Sequence, residues 1–285
     1  MRTKNNLSEI ITRNRSLTLI LFASVFLLQI SMSIKAQTDH GGADVTWENE
    51  TVSGVHTNIG TLNINGAVTV SSLSRLVVTA ATINVNGGLS AFAAGYTEND
   101  VSLGDGIDGG NNHGSGGGGY GGMGGNGNTY AVGGTNWGIP DITIEMDFPN
   151  EFGSAGGPGG GAIRLTATGL MTINGTISAN GKDGLNYSDD GQAGGAGGSI
   201  WLDCGTLAGA GTVSAAGGDA QSTTSRGQGG GGGGRIAIYY GGTEDFNLTT
   251  NVIAGINDAN VVTSAASGTC HVESRSPAGT VILVL

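Results

Sequence analysis

In 285 residues the chain carries 57 glycines, and 22 acidic residues outnumber 11 Lys and Arg for a formal charge of −11. That balance excludes nucleic acid and anionic lipid as partners, because affinity for phosphate depends on clustered Lys and Arg. So much glycine points to disorder or a low-complexity coat, unless the segments between the glycines carry a regular apolar pattern.

Residues 1–36 read as an export signal. Arg2, Lys4, Arg13 and Arg15 form a basic head, residues 17–30 an apolar core, and Ser33-Ile34-Lys35-Ala36 offers a small residue for cleavage. The core has 14 residues where a spanning helix needs about 20, so a signal peptide is expected, with no membrane span after its removal. The product is expected to be secreted, periplasmic or displayed on the cell surface. Five bases and one acid lie in this segment, leaving 21 acids against six bases and a formal charge of −15. Cations and neutral sugars are the small partners such a surface suits. The remaining 249 residues suffice for one elongated domain, read as an N-terminal cap over 37–54 and a solenoid over 55–285.

A repeat carries the solenoid. Asn65-Gly66-Ala67-Val68, Asn86-Gly87-Gly88-Leu89, Asn174-Gly175-Thr176-Ile177 and Ala210-Gly211-Thr212-Val213 are copies of one turn-and-strand unit. Arg75-Leu76-Val77-Val78, Ala162-Ile163-Arg164-Leu165 and Ser199-Ile200-Trp201-Leu202 begin 12, 13 and 12 residues before the next marker glycine, and Arg235-Ile236-Ala237-Ile238 opens another copy. A rung of constant length thus alternates with inserts of 4, 70, 19 and 19 residues, the signature of a solenoid with decorated loops.

Alternation predicts Leu76, Ile163, Ile200 and Ile236 inside with Val78, Leu165, Leu202 and Ile238, and Arg164, Trp201, Asp203 and Tyr239 outside. Val68, Leu89, Ile177 and Val213 give a second inward row, and Leu62, Ile83, Met171 and Leu207 a third. The expected fold is all-β: a parallel β-helix with rungs of about 21 residues, three short strands in each, and Gly-rich inserts at one corner. Asn-Gly turns fit because both residues tolerate positive φ, and stacked asparagines would form a hydrogen-bonded ladder.

The Gly-rich inserts fall at 92–161, 180–198 and 216–234. They end in tracts such as Ala193-Gly194-Gly195-Ala196-Gly197-Gly198 and residues 229–234, and a period of three matches an extended threefold helix of the polyproline II type. Either these tracts stack into a hydrogen-bonded layer of their own or they are flexible loops. Tyr96, Tyr120, Tyr130, Trp137 and Tyr187 are candidate stacking residues for a glycan or partner surface; the alternative is that they pin glycine loops to the solenoid. The insert at 92–161 carries Glu98, Asp100, Asp105, Asp108, Asp141, Glu145, Asp147 and Glu151 with no Lys or Arg. Weak, millimolar calcium binding and simple solvation are the two readings of these acids.

The tract 229–234 runs into Arg235-Ile236-Ala237-Ile238-Tyr239-Tyr240. With Thr176-Ile177-Ser178-Ala179-Asn180-Gly181, Gly197-Gly198-Ser199-Ile200-Trp201-Leu202 and Pro277-Ala278-Gly279-Thr280-Val281-Ile282-Leu283, it resembles a repeat of large glycine-rich exported proteins, bacterial surface and adhesin-like proteins among them. The resemblance covers residues 60–285 approximately. It implies β-solenoid-like surface architecture and nothing catalytic.

No catalytic, cofactor or metal residues can be assigned. The exported bases are Arg75, Arg164, Lys182, Arg226, Arg235 and Arg275, and Arg75 and Arg235 share a rung position that suits a structural guanidinium. Asp189-Asp190 and Glu244-Asp245 are adjacent acids that a loop would splay apart. Gly104-Asp105-Gly106-Ile107-Asp108 loosely resembles a calcium β-roll nonapeptide but has no second copy to share an ion. His40, His56, His113 and His271 show no ligand spacing. Cys204 and Cys270 either form one disulfide or remain two buried thiols. Thr280-Val281-Ile282-Leu283 repeats a rung-opening strand shortly before Leu285, which leads to the expectation of a truncated solenoid or an end closed by a partner strand. The function expected is an exported structural or adhesin-like cell-surface protein without catalytic activity, its Gly-rich inserts forming the contact face. The alternative is a carbohydrate-active β-helix enzyme, a polysaccharide lyase or hydrolase.

Overall fold

A computed structural model describes residues 37–96, 116–127, 132–135, 157–187, 190–221, 227–258 and 263–275, without the side chains of 186–191 and 244. The export signal expected at 1–36 and the strand expected at 280–283 lie outside the described residues, as do the long insert's eight acids, His113 and Arg226.

Alternating apolar residues make strands here, and none of the described residues is helical. In chain order the strands are β1 (Gln37–Asp39), β2 (Val45–Trp47), β3 (Thr51–Val52), β4 (Gly54–Ile64), β5 (Ala67–Val70), β6 (Arg75–Val85), β7 (Gly88–Ser90) and β8 (Ala162–Ile173). They continue with β9 (Thr176–Ser178), β10 (Asn186–Tyr187), β11 (Asp190–Gly191), β12 (Ser199–Gly209), β13 (Thr212–Ser214), β14 (Arg235–Phe246), β15 (Thr249–Asn251) and β16 (Thr269–Ser274). The long strands β4, β6, β8, β12, β14 and β16 pair in that order, all parallel. β1 and β2 join the same sheet on β4. The short strands β3, β5, β7, β9, β13 and β15 form a second parallel sheet, again in chain order. Neither sheet closes on itself, and the fold is all-β and solenoid-like. Parallel pairing throughout both sheets rules out antiparallel hairpins at the Asn-Gly turns.

The inward rows stack as alternation requires. Leu76, Ile163, Ile200 and Ile236 share one register, and Val78, Leu165, Leu202 and Ile238 the next; all are fully buried. Val68, Leu89, Ile177 and Val213 close the core from the second sheet, each 1% exposed or less. The third inward row, however, does not form a separate strand. Leu62, Ile83, Met171 and Leu207 are the second halves of β4, β6, β8 and β12, reached across a register shift. A glycine column makes the bend possible: a Cβ on Gly205 would come within 2.8 Å of the Thr168 carbonyl oxygen, and one on Gly241 within 2.7 Å of that of Gly205. Each pass is therefore one long bent strand and one short strand.

The Asn-Gly turns need a different explanation from positive φ, which Asn65, Gly66, Asn86, Gly87, Asn174 and Gly175 do not adopt. Glycine stands there because successive turns touch. A Cβ on Gly87 would sit on the Gly66 carbonyl, and one on Gly175 on that of Gly87. The asparagines do form a ladder: Asn86 Nδ2 donates to Asn65 Oδ1 at 3.2 Å, and Asn174 Nδ2 to Asn86 Oδ1 at 3.4 Å. A second ladder runs beside it, Asn84 Nδ2 to Asn63 Oδ1 at 2.9 Å.

Cys204 and Cys270 are both free. Cys204 is on β12 and Cys270 on β16, with β14 between them. Two steps of about 4.8 Å already exceed the ~7 Å span of a disulfide. Burial pushes the Cys204 thiol up to about 12, with the neighbouring Asp203 adding to it, and its Sγ–H donates to the Tyr239 carbonyl at 3.7 Å. Cys270 is exposed. Only the thiolate attacks an alkylating agent. Iodoacetamide at pH 8 should therefore label one thiol of the native protein, Cys270, and reach Cys204 only in denaturant; mass spectrometry of the digest reads the outcome.

Candidate functional site

The short strands β7, β9, β13 and β15 hand the chain to the Gly-bearing connections, and the second sheet's outer row marks the exit. Ser90 Oγ accepts the Phe92 amide at 3.2 Å, Ser178 Oγ that of Asn180 at 3.4 Å, and Asn251 Oδ1 that of Ile253 at 3.0 Å. These side chains bond their own backbone two residues on, while pairing between passes continues beyond the strands, as in Ala179 N–H to the Ser214 carbonyl and Gly181 N–H to that of Ala216. Asn180 then spans to the next pass, its Oδ1 accepting from Ser214 Oγ at 2.7 Å and the Ala216 amide at 2.8 Å.

Beyond the exits the tracts hydrogen-bond to each other. The tract 229–234 shows the rule. Gly231 donates to Gly218 at 2.9 Å, Gly232 to Gly118 at 2.8 Å and Gly233 to Ala266 at 3.0 Å, so three consecutive amides reach three different tracts. Three consecutive carbonyls accept in turn from three segments: Gly229 from Gly194 at 3.0 Å, Gly230 from Gly125 at 2.9 Å and Gly231 from Gly255 at 2.8 Å. After three residues the cycle repeats, with Gly234 donating to Ala215 and Gly232 accepting from Gly197. A threefold extended helix has no internal hydrogen bonds. Here five neighbouring segments supply them, which satisfies a backbone buried along its whole length.

Such spacing leaves no room for side chains between tracts. A Cβ on Gly229 would fall on the Gly125 carbonyl, on Gly231 on that of Gly195, and on Gly255 on that of Gly218. In 229–234 every position would clash in this way, but elsewhere one face in three is different. In 192–198 every third residue is Ala193 or Ala196, both fully buried. The period of three in the sequence is thus the period of one face with space for a methyl group.

The tyrosines divide. Tyr120 is 1% exposed and is no contact residue. Its hydroxyl lies 2.7 Å from Ser199 Oγ, and the Arg235 guanidinium carbon lies 5.2 Å from its ring centre. Tyr120 therefore pins the glycine layer to the first sheet. Arg235, buried, and Arg75, exposed, do occupy one register across β6, β8, β12 and β14. Tyr96 is half-buried, and its carbonyl accepts the Gly159 amide at 2.8 Å. Tyr130 and Trp137 lie outside the described residues, as does the side chain of Tyr187. The β-roll-like stretch at 104–108 lies outside them too, so the calcium reading has no geometry.

A second cluster sits on the outward face of the first sheet, which alternation marks as solvated. Trp201 and Tyr239 are each only 4% exposed there. The Arg164 guanidinium carbon lies 3.5 Å from the Trp201 ring centre and that of Arg275 lies 4.0 Å from the Tyr239 ring centre. Long Arg stems and flat guanidiniums thus pack against two rings on a nominally wet face. Arg275 Nη1 donates to Asp203 Oδ2 at 2.9 Å, tying the chain after β16 back to β12. Burial draws the Arg164 guanidinium below its ordinary value, and Asp203 opposes that. The sequence signal was present in the outward register of Arg164, Trp201 and His271 beside that of Asp203, Tyr239 and Glu273. What it lacked was Arg275, which lies past the last of these strands.

At the other end, His40 Nε2 and His56 Nδ1 stand 3.2 Å apart, and Trp47 meets the His56 ring edge-on. Burial holds His56 below its ordinary value, against a hydrogen bond to the Ser53 carbonyl. Among the described residues no three His, Cys, Asp or Glu converge on one point. None of the described residues forms a helix long and apolar enough to cross a membrane. Comparison with known proteins brought no match, whether to a family model, a curated protein or a solved structure.

Neighbouring positions in one tract should respond oppositely to a single methyl group. A Cβ on Gly197 would strike the Ala215 carbonyl, whereas the Ala196 methyl already has a place. Gly197→Ala should cost at least ~2 kcal/mol by overpacking. Ala196→Gly should cost about 1 kcal/mol, through a lost methyl contact and added chain entropy. Urea unfolding of the two variants checks the order.

Proposed function

We propose that the chain is an exported structural or adhesin-like cell-surface protein rather than a catalyst. In this reading it is a parallel β-helix with rungs of about 21 residues, and Gly-rich inserts leaving at one corner form its contact face. The observation that supports it is the glycine tract 229–234, hydrogen-bonded to five other segments of the chain. A layer built that way spends its backbone polarity on itself and offers few side chains for chemistry. What it supplies is a stiff platform whose order is established before any partner arrives, which lowers the entropic cost of binding. The likeness to glycine-rich exported repeat proteins and the export signal at 1–36 place that platform outside the cell in this reading. The acidic balance leaves glycans, cell-surface partners and weakly held calcium as the partner classes.

The enzyme alternative would require reacting groups that converge, and three of the described bases pack against rings instead. Arg164 and Arg275 lie on Trp201 and Tyr239, and Arg235 lies by Tyr120. A glycan array and whole-cell binding assay with the purified chain should show saturable binding. Neutral and uronate-containing polysaccharides incubated with it should keep their length. EDTA-sensitive shortening of any of them would turn the assignment to the enzyme.

A further inference from the structure

One pair of tracts in the glycine layer is not part of any pass through the sheets. Residues 116–127 belong to the long connection between β7 and β8, yet they occupy the groove between 192–198, 227–234 and 263–268. The contacts run both ways. Gly118 donates to Gly194 at 3.0 Å, Gly122 to Gly233 at 2.8 Å and Gly125 to Gly230 at 2.9 Å. In return Gly232 donates to Gly118 and Ala266 to Met123, each at 2.8 Å. At the groove's inner end is a side-chain pocket. Ser199 is fully buried and Arg235 is 6% exposed, and between them they receive the Tyr120 hydroxyl and ring.

The geometry points to this groove as a receptor for a folded-back glycine segment that carries a tyrosine at its bend, its two arms joined by the Gly117 amide donating to the Gly125 carbonyl at 2.9 Å. Here the chain's own residues 116–127 fill it, and the same segment of a second copy fits it equally. None of the contacts depends on covalent continuity with β7 or β8. The groove selects by two means. It rejects a Cβ at Gly117, which would fall on the Gly230 carbonyl, and at Gly122, which would fall on that of Ala266. It also demands a hydroxyl, because Ser199 is buried and bonds to it. The other tracts that line the groove continue directly into strands at one end: 192–198 into β12, 227–234 into β14 and 263–268 into β16. The segment 116–127 is therefore the one suited to exchange between copies, in the manner of a swapped element. This inference shares a location with the proposed contact face but does not rest on it. A chain that binds no glycan can still accept the segment.

The test uses the full chain with Tyr120→Ala and Gly122→Val, which cannot fill its own groove, and a fluorescent peptide of residues 116–127. Anisotropy should show saturable one-to-one binding to this variant. Binding to the wild-type chain should be at least ~100-fold weaker, because the tethered segment competes at high effective concentration. A Tyr120→Phe peptide should bind about tenfold more weakly, and a peptide with alanine at 117 and 122 should not bind. A variant with wild-type circular dichroism that ignores the peptide, or takes the alanine peptide equally well, overturns the inference. Should the variant not fold, native-state hydrogen exchange on the wild-type chain decides. The amides of Gly118, Gly122, Gly125 and Gly232 should open together at lower cost than those of Gly231 and Gly234. If all of them exchange only on global unfolding, the segment is no separable ligand and the inference falls.

Discussion

The approach of one glycine backbone to the next governs this structure. An extended threefold chain makes no hydrogen bonds with itself, so it can be buried only if its neighbours come close enough to bond every amide and carbonyl. Close approach forbids a Cβ on two faces of three in 192–198 and on all three in 229–234, and glycine meets that demand. Glycine gives up more conformational freedom on folding than any other residue. The layer therefore needs support from something already ordered, and the parallel sheets supply it. Their fully buried Ile, Leu and Val ladders fix the spacing at which successive tracts emerge. The inter-strand step of about 4.8 Å then sets a regular lattice for glycine helices to fill.

Side chains at the boundary join the two parts. Ser178 and Asn251 end the short strands, Asn180 ties one pass to the next, and Tyr120 passes from the glycine layer to Ser199. On the outward face of the first sheet, Arg164, Trp201, Tyr239 and Arg275 bind four successive passes by ring contacts rather than by a core. Any surface property of the glycine layer depends on these joints, because they decide whether the tracts are presented as a solid or as loops.

The inward rows could be read from the sequence because a period of two has only two faces, and Leu76, Ile163, Ile200 and Ile236 mark one of them. The Asn ladder was legible for the same reason, as identical residues recur at one phase. Three features were not. The bend that merges two expected strands into one depends on the Gly205 and Gly241 column, and isolated glycines do not say whether they break a strand or bend it. The glycines of the Asn-Gly turns answer to the turn stacked against them, a contact between passes that local turn preferences do not contain. Tyr120 could be read equally as a contact residue or as a pin, because an aromatic in a glycine loop gives no sign of which way it points. Its partner Ser199 lies 79 residues away.

The central claim is that consecutive amides of one tract bond to different neighbouring tracts. Through-hydrogen-bond scalar couplings in isotope-labelled protein observe this directly. They should connect the Gly231, Gly232 and Gly233 amides to the carbonyls of Gly218, Gly118 and Ala266. Couplings seen between β12 and β14 but absent for all three glycines would mean that the tracts are loops beside a solenoid, and would contradict the account.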